Sequence, residues 1–313
     1  RLVIGKPPEA MDLSKVQHIV GRDFGYKNTV ALAVMQSDSP IDLEALQAQF
    51  DAVKDKAAAR THIESHILPS TVRCIERLHY SGEAFMKRLG ALAARIDRLR
   101  SRIDRAYAEL EERKRAIVEA LGLKADEWIL PEMKRAHAPA RAFFALLGQI
   151  DDLKRARRAA YAKAAAIKRH WFGFLSNVEV ALAKKHNAII AREDLTVLAI
   201  EKDAPDYKGR AFNKMINHGS RGQYARRATD KFAWHGVPEC VVPAAYTSRA
   251  CLRHGHIVPA AKRNGERIRF ACCGNTVDHA DEHAAETIAG YAFLRPVDDL
   301  AEWVRRKASP LGS

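Results

Sequence analysis

The chain has 313 residues, 47% of them hydrophobic, so it can bury a core in one large domain or in two or three smaller ones. Lys and Arg total 52 against 38 Asp and Glu, and folding does not require so large an excess as the resulting net charge of +14. A polyanionic partner would explain the charge, as would a general bias of composition toward Arg. No apolar run approaches the roughly 20 residues that span a bilayer, and no signal peptide begins the chain, so we expect a cytoplasmic protein without a membrane partner.

Residues 1–17 contain two prolines and no sustained period, which favours a linker over a regular element. Because the chain opens at Arg1 rather than at Met, we expect this linker to continue from an N-terminal part of the same protein. Two apolar, β-branched runs then flank a Gly-bearing turn within residues 18–36, a pattern that predicts a β-hairpin.

A long segment, residues 42–170, is rich in alanine and in charge, and its apolar residues recur at helical spacing between Phe85 and Leu110. We expect a helical insertion, an antiparallel helix pair with a break near residues 121–131. Its basic side chains are spread along the helices, which suits contact with phosphates, although for any single residue an ordinary solvated face is the alternative. The candidate nucleic-acid contacts are Arg95, Arg98, Arg102, Lys154, Arg157 and Arg158, together with Arg226 and Arg227 further along the chain.

After the insertion, residues 171–185 continue the helical pattern and lead into the apolar run at 188–191, which predicts a buried strand. Glu193 and Asp194 follow this strand directly. Further along, residues 281–305 return to helical spacing with small apolar residues on one face.

Three acidic residues stand at or near the ends of these elements. Asp23 lies in an apolar strand, Glu193 follows one, and Asp281 opens an alanine-rich helix. A mixed α/β sheet gathers carboxylates from strand ends into one cleft, where Mg²⁺ binds them, and two such ions about 3.5–4 Å apart support phosphodiester hydrolysis. Taken singly, each acid is better explained by solvation or an ion pair, and Asp281 also suits a helix N-terminus.

Several segments, in one order along the chain, resemble the motifs of a known family. GRDFGYKN at residues 21–28 is similar to the GxDxGxxN first motif of the RuvC domain in TnpB-like transposon nucleases and type V CRISPR effectors. REDL at 192–195 resembles the second motif, and HADEHAAETI at 279–288 resembles the third, HADxNAAxNI. Between them, AYTSRACLRHGH at 245–256 resembles YTSxxCxxCGH, and RFACCG follows at 269–274 in place of RxFxCxxCG.

The resemblance covers residues 18 to about 300 and implies an α/β fold, an RNase H-like (RuvC) mixed sheet with a long helical insertion and a small zinc-ribbon-like element. It also implies that Asp23, Glu193 and Asp281 are catalytic and bind Mg²⁺, with Asp194 as the competing choice for the second acid. The expected segments are the linker (1–17), RuvC part I (18–41), the helical insertion (42–170), RuvC part II (171–246), the zinc-ribbon-like target-nucleic-acid element (247–276) and RuvC part III (277–313).

The zinc-ribbon-like element departs from the family pattern. His254 replaces a Cys of the first knuckle, which zinc accepts, and the second knuckle is the adjacent pair Cys272 and Cys273 instead of CxxC. We therefore expect a strained zinc site formed by Cys251, His254, Cys272 and Cys273. The alternative is a metal-free loop with free, partly buried cysteines.

The first and third motifs depart as well. Arg22 occupies a family position that is usually apolar, and His283 and Thr287 replace two family Asn residues. Either change would weaken support for the Mg²⁺ ligands. For His283, a metal or phosphate ligand and an ordinary surface histidine are the alternatives.

The resemblance implies an RNA-guided DNA-targeting effector, CRISPR- or transposon-associated, of which this chain is the RuvC half, with a role in antiviral defence. Its partners would be a guide RNA, a target double-stranded DNA and the N-terminal remainder of the same protein, in the cytoplasm of a prokaryote. The first hypothesis is Mg²⁺-dependent hydrolysis of target DNA by a RuvC-type endonuclease. The alternatives are guide-directed binding and silencing without cleavage, and a stand-alone nuclease of DNA junctions or transposition.

Overall fold

The structure is a computed structural model that describes residues 11–25, 29–51, 53, 55–124, 137–193, 221–259, 263–264 and 266–297. The chain divides into two compact units, one of residues 84–171 and one of residues 1–83 with 172–313. No helix in the described part of the chain is both long and apolar enough to cross a bilayer.

The regular elements are as follows. The strands are β1 (His18–Phe24), β2 (Val30–Gln36), β3 (His66–Ile67), β4 (Arg73–Tyr80), β5 (Ala188–Glu193), β6 (Glu239–Val242), β7 (Ala250–Cys251), β8 (His256–Ile257), β9 (Arg263–Asn264), β10 (Arg267–Phe270), β11 (Thr276–His279) and β12 (Arg295–Pro296). The α-helices are α1 (Leu43–Asp51), α2 (Lys56–Ser65), α3 (Glu83–Ala120), α4 (Ala138–His186), α5 (Arg221–His235) and α6 (Ala280–Gly290).

A five-stranded mixed sheet forms the centre of the first unit, in the order β4-β2-β1-β5-β6. The pairs β4/β2 and β2/β1 are antiparallel, whereas β1/β5 and β5/β6 are parallel. The predicted hairpin is confirmed, because β1 and β2 pair along their whole length from His18 with Gln36 to Phe24 with Val30. The predicted mixed α/β sheet with a long helical insertion and a small Cys/His element is confirmed, while the predicted segment boundaries stay predictions.

Helix α6 packs on one face of this sheet at very short range. A Cβ atom at Gly21 of β1 would meet the main-chain oxygen of Ala285 and would lie 2.6 Å from the main-chain nitrogen of Ala289. Only glycine allows a strand and a helix to approach so closely. Ile288 and Ala289 of α6 then join the buried core.

The other face of the sheet is covered by α5 and by the part of α4 that follows residue 171. Phe24 of β1 stacks on Tyr224 of α5 with the ring centroids 4.7 Å apart, and Phe172 of α4 contacts the same tyrosine. Alternate residues of a strand point to opposite faces, so β1 presents its odd-numbered residues to α6 and its even-numbered residues to α4 and α5.

Two strands, the short β3 and the longer β4, lie within the segment predicted to be helical. Residues 73–80 form β4, an edge strand whose exposed and half-buried residues alternate. Charged residues interrupt the apolar pattern, and an edge strand tolerates such charges because only one side pairs. Glu76, for example, points inward and accepts hydrogen bonds from Lys185 (2.7 Å) and His186 (2.6 Å) of α4.

The second unit is an antiparallel pair of helices, as predicted. Leu110 of α3 packs with Leu146 and Ile150 of α4, and Ile117 packs with Ala140. A residue later in α3 thus contacts a residue earlier in α4, as in two antiparallel helices. Helix α3 ends at Ala120 and a turn follows at residues 121–122, where the sequence predicted the break, and α4 begins at Ala138.

The helix predicted over 281–305 is shorter than expected. Helix α6 ends at Gly290, a 3₁₀ turn follows over Tyr291–Phe293, and β12 then pairs with β3. The aromatic rings of this turn are buried in the core, and Pro296 has no N–H with which to continue a helix. Tertiary burial, rather than helical propensity, therefore decides the path of this segment.

Candidate functional site

Asp23 and Glu193 lie at the same end of neighbouring parallel strands. The β1/β5 register runs from His18 with Ala188 to Arg22 with Arg192, so Asp23 and Glu193 are the next residue of each strand. Asp23 shares the odd-numbered face of β1 with Gly21, on which α6 packs. Glu193 shares the face of Ala191, which lies in the core beside α6. Both carboxylates therefore point to the same face of the sheet, at the same end of the two strands.

Asp281, which belongs to α6, lies at the same end of the sheet. It lies in the first turn of α6, and its Oδ2 is 3.3 Å from the position that a Cβ atom of residue 25 would take. Gly25 follows Asp23 by two residues, so α6 brings the third acid to the end of β1. The structure thus places the three acids that the sequence predicted at the same end of the sheet. Asp194, the competing choice, lies outside the described residues.

Thr247, which the sequence pattern did not indicate as a site residue, contacts one of these acids. The Thr247 hydroxyl donates to Glu193 Oε1, and Thr247 itself is buried. Nearby, burial of the Tyr291 hydroxyl and the charge of Glu193 raise the pKa of that phenol. Thr247 lies in the YTS part of the segment that resembles a family motif, which was the available signal for its role.

Arg22 does not face the acids. As an even-numbered residue of β1 it points to the opposite face, where its Nη1 lies 3.5 Å from Glu179 Oε1 and its guanidinium 5.1 Å from the centre of the Tyr224 ring. The Tyr224 hydroxyl also donates to Glu179. Burial raises the pKa of Glu179 while Arg22 opposes that shift. Arg22 is thus one partner of a buried ion pair that joins β1 to α4 and α5.

The four predicted zinc ligands form one cluster, with all ligand atoms within 4.8 Å of one another. Cys251 Sγ lies 3.3 Å from His254 Nδ1 and 3.5 Å from Cys273 Sγ, and Cys273 Sγ lies 4.0 Å from Cys272 Sγ. A tetrahedral zinc ion with bonds of about 2.3 Å to sulfur and about 2.0–2.1 Å to nitrogen separates its ligands by about 3.6–3.8 Å. The cluster therefore fits Zn²⁺.

The adjacent cysteines fit better than the sequence suggested. They end a 3₁₀ turn, Ala271–Cys273, and Gly274 leaves this turn with a left-handed φ of 68°. This tight turn directs both sulfur atoms toward Cys251. A hydrogen bond with Cys272 raises the pKa of Cys251 to about 11, because thiols this close disfavour a thiolate without a cation to balance it.

His283 and Thr287 connect α6 to the Cys/His cluster. His283 Nε2 donates to the carbonyl oxygen of Ala250 at 2.9 Å, and the Thr287 hydroxyl donates to the same oxygen at 3.5 Å. Ala250 directly precedes Cys251. His283 is thus largely buried rather than an exposed surface histidine, and burial lowers its pKa.

The candidate nucleic-acid contacts fall in both units. Arg95, Arg98 and Arg102 are exposed along α3 and line a cleft of about 570 Å³ with residues of α4. Lys154 lies over the Tyr107 ring at 5.1 Å. On α4 Arg157 is half-buried and Arg158 is exposed, while Arg226 and Arg227 are exposed on α5 of the first unit.

Comparison with known proteins agrees with these features. Residues 222–288, from the start of α5 through the Cys/His cluster to Ile288 of α6, match the Cas12f1-like TNB domain family. This match confirms the predicted resemblance to type V CRISPR effectors over residues 222–288. No curated protein sequence matches the chain.

Among solved structures, the chain is similar to the mini-RNA-guided endonuclease CRISPR-Cas_phi3, with a TM-score of 0.45, 15% identity and coverage of 90% of this chain and 46% of that one. It is also similar to CasPhi-2 (Cas12j) bound to crRNA, with a TM-score of 0.42, 13% identity and coverage of 88% and 48%. A Cas12i-crRNA-dsDNA complex gives a TM-score of 0.36, 12% identity and coverage of 78% and 31%. The chain spans half or less of the length of each of these structures.

Proposed function

We propose that this chain is the nuclease-bearing half of an RNA-guided, DNA-targeting effector, and that Asp23, Glu193 and Asp281 hold Mg²⁺ for the hydrolysis of target DNA. The observation that carries this proposal is the convergence of the three acids, from three distant segments, at one edge of one sheet. Oxygen donors of this kind are the ligands that Mg²⁺ prefers. When bound there, Mg²⁺ would activate a water molecule and stabilise the leaving oxygen.

The protein's own residues hold these acids in place. Parallel pairing of β1 and β5 keeps Asp23 and Glu193 on adjacent strands, and Thr247 donates to Glu193 so that one of its oxygens is fixed. The close packing of α6 on Gly21 sets the distance between Asp281 and β1. Strand pairing, this hydrogen bond and the packing of α6 would together help to position the acids, which metal-assisted hydrolysis requires.

Charge and the Cys/His cluster support the choice of substrate. The exposed arginines of α3 would neutralise phosphates without reading sequence, as a protein does when base pairing with a guide supplies the sequence. Zn²⁺ at Cys251, His254, Cys272 and Cys273 would hold together a segment whose described strands are only two to four residues long. The same basic surface would serve guide-directed binding without cleavage, so the test must separate binding from cutting.

The test uses the full-length protein with its guide RNA, a matched DNA duplex and Mg²⁺. We expect cleavage that is lost in Asp23→Ala and in Glu193→Gln, while both variants still bind the duplex in a gel-shift assay. Asp104→Asn, an exposed acid of α3, is the matched control and keeps wild-type cleavage. Binding without any cleavage by the wild-type protein would favour the silencing alternative, and the absence of co-purifying RNA would count against a guided function.

A further inference from the structure

Two histidines lie beside Asp281. His79 is an exposed residue of β4, and His279 directly precedes α6. One ligand atom from each of His79, His279 and Asp281 lies within 4.8 Å of the other two. The two imidazole rings are 4.7 Å apart and tilted by 56°, so they contact each other without stacking.

The sheet register explains why His79 reaches this position. Asp23 pairs with Ala31, and Ala31 pairs with His79, so the three residues form one row across β1, β2 and β4. Residues in such a row point to the same face of the sheet. His79 therefore lies on the α6 face, in the row of Asp23, and at the end of the sheet where the three acids converge.

The donor set differs in kind from the three carboxylates. Two imidazole nitrogens and one carboxylate oxygen suit first-row transition metals such as Zn²⁺, whereas Mg²⁺ prefers oxygen alone. In addition, Nδ1 of His279 is buried and has no hydrogen-bond partner among the described residues. A buried nitrogen in that condition carries an energetic cost that a bound cation or a bound donor would remove.

A second group of potential ligands nearby does not share these features. Asp278, His283 and Glu286 also lie within 4.8 Å of one another, but Arg77 is 3.2 Å from Asp278 and donates its Nε to Glu286 at 2.8 Å. An arginine in that position already neutralises both carboxylates. The group of His79, His279 and Asp281 is therefore the stronger candidate.

We propose that His79, His279 and Asp281 bind a transition-metal ion of the Zn²⁺ class, at a site separate from the Cys/His cluster. Asp281 is also one of the three acids of the proposed nuclease site, so an ion held by the histidines competes for it. Zn²⁺ binds such ligands far more tightly than Mg²⁺ does, and micromolar Zn²⁺ would accordingly suppress Mg²⁺-dependent cleavage. This consequence rests on the proposed function, whereas the binding site does not.

The binding experiment measures Zn²⁺ bound per chain by calorimetry, and Co²⁺ absorption in parallel, in the wild type and in His79→Ala. The exposed position of His79 leaves the fold of the variant intact, which circular dichroism checks. We expect the variant to bind one ion fewer, or to bind it with a Kd raised at least about 100-fold, since loss of an outer partner alone typically costs 10–100-fold. It keeps the thiolate-to-cobalt band of the Cys/His cluster and loses only absorption from nitrogen and oxygen ligands.

Two further variants sharpen the result. His279→Ala should lose the same ion, and His170→Ala, an exposed histidine of α4, should lose none. Equal stoichiometry and equal spectra in the wild type and in His79→Ala would overturn the proposal.

The activity experiment adds micromolar Zn²⁺ to Mg²⁺-dependent cleavage by the full-length protein. We expect inhibition of the wild type and little inhibition of His79→Ala. Equal inhibition of both would show that the ion acts elsewhere. If the wild type does not cleave at all with Mg²⁺, the nuclease proposal fails, while the metal site is still judged by the binding stoichiometry.

Discussion

Replacement of Gly21 by alanine tests the packing that places Asp281 over the sheet. The added Cβ would meet the main-chain oxygen of Ala285 and lie 2.6 Å from Ala289 N and 2.9 Å from Ala289 Cβ, all closer than the 3.0 Å that real Cβ atoms keep. The obstructing atoms are mostly backbone, so α6 itself must move away from β1. Overpacking typically costs about 1–3 kcal/mol, and a backbone obstacle places Gly21→Ala at or above about 3 kcal/mol.

The matched control is Gly90→Ala. Gly90 is an exposed residue within α3, and nothing lies within 4 Å of its added Cβ. Alanine there should stabilise the helix by about 0.5–1 kcal/mol, because glycine loses more backbone entropy on folding. The same glycine-to-alanine replacement should thus lower the free energy of unfolding at Gly21 and raise it at Gly90.

Native-state hydrogen exchange measures both effects locally, which matters because the chain has two units. In Gly21→Ala, amides of β1 and α6 should exchange faster, with a free energy of opening lower by about 3 kcal/mol, while amides of α3 are unchanged. The proposed cleavage should fall as well, since Asp281 moves with α6. A free energy of opening within about 0.5 kcal/mol of the wild type would refute the packing argument.

Three further predictions concern other parts of the first unit. Thr247→Val removes the hydroxyl that donates to Glu193 and should cost about 1.5–3 kcal/mol and lower the proposed cleavage rate, whereas Thr247→Ser should preserve both, as urea unfolding and cleavage kinetics would check. Burial lowers the pKa of His62 to about 4, so as pH falls below 6.5 this histidine takes up a proton in the unfolded chain before it does in the folded one. The free energy of unfolding should therefore decline between pH 6.5 and about 4. Thermal unfolding measured at each pH should show a smaller decline in His62→Phe. His254→Ala should lower the zinc content measured by mass spectrometry and speed proteolysis of residues 247–276, and an unchanged metal content would count against the Cys/His site.

Much of the secondary structure follows from local pattern. The β1/β2 hairpin, the strand that ends at Glu193 and the helix pair of residues 84–171 all have a period that the backbone geometry of a single segment imposes. The sequence did not predict β4, because charged residues interrupt the alternation of apolar and polar residues in this edge strand. The length of α6 escaped because burial of Tyr291 overrides the helical pattern that continues beyond it.

The candidate site divides in the same way. The acids were identifiable from their sequence context, and so were the residues of the Cys/His cluster. Glu179, the partner of Arg22, could not be identified from its sequence context, because it lies 157 residues away and only the packing of α4 on the sheet brings the two together. The contact of Thr247 with Glu193 and the place of His79 in the row of Asp23 likewise depend on how distant segments align.

The sequence by itself determined which elements form, where their acidic, cysteine and histidine residues stand, and that the chain carries excess positive charge. Those properties depend on residues close together in the chain. Only the tertiary structure decided which residues face one another, because the β1/β5 register and the packing of α6 on Gly21 join segments more than a hundred residues apart, and the register of β4 joins segments that local pattern does not connect. A single-residue shift in register would turn Asp23 and His79 to opposite faces of the sheet.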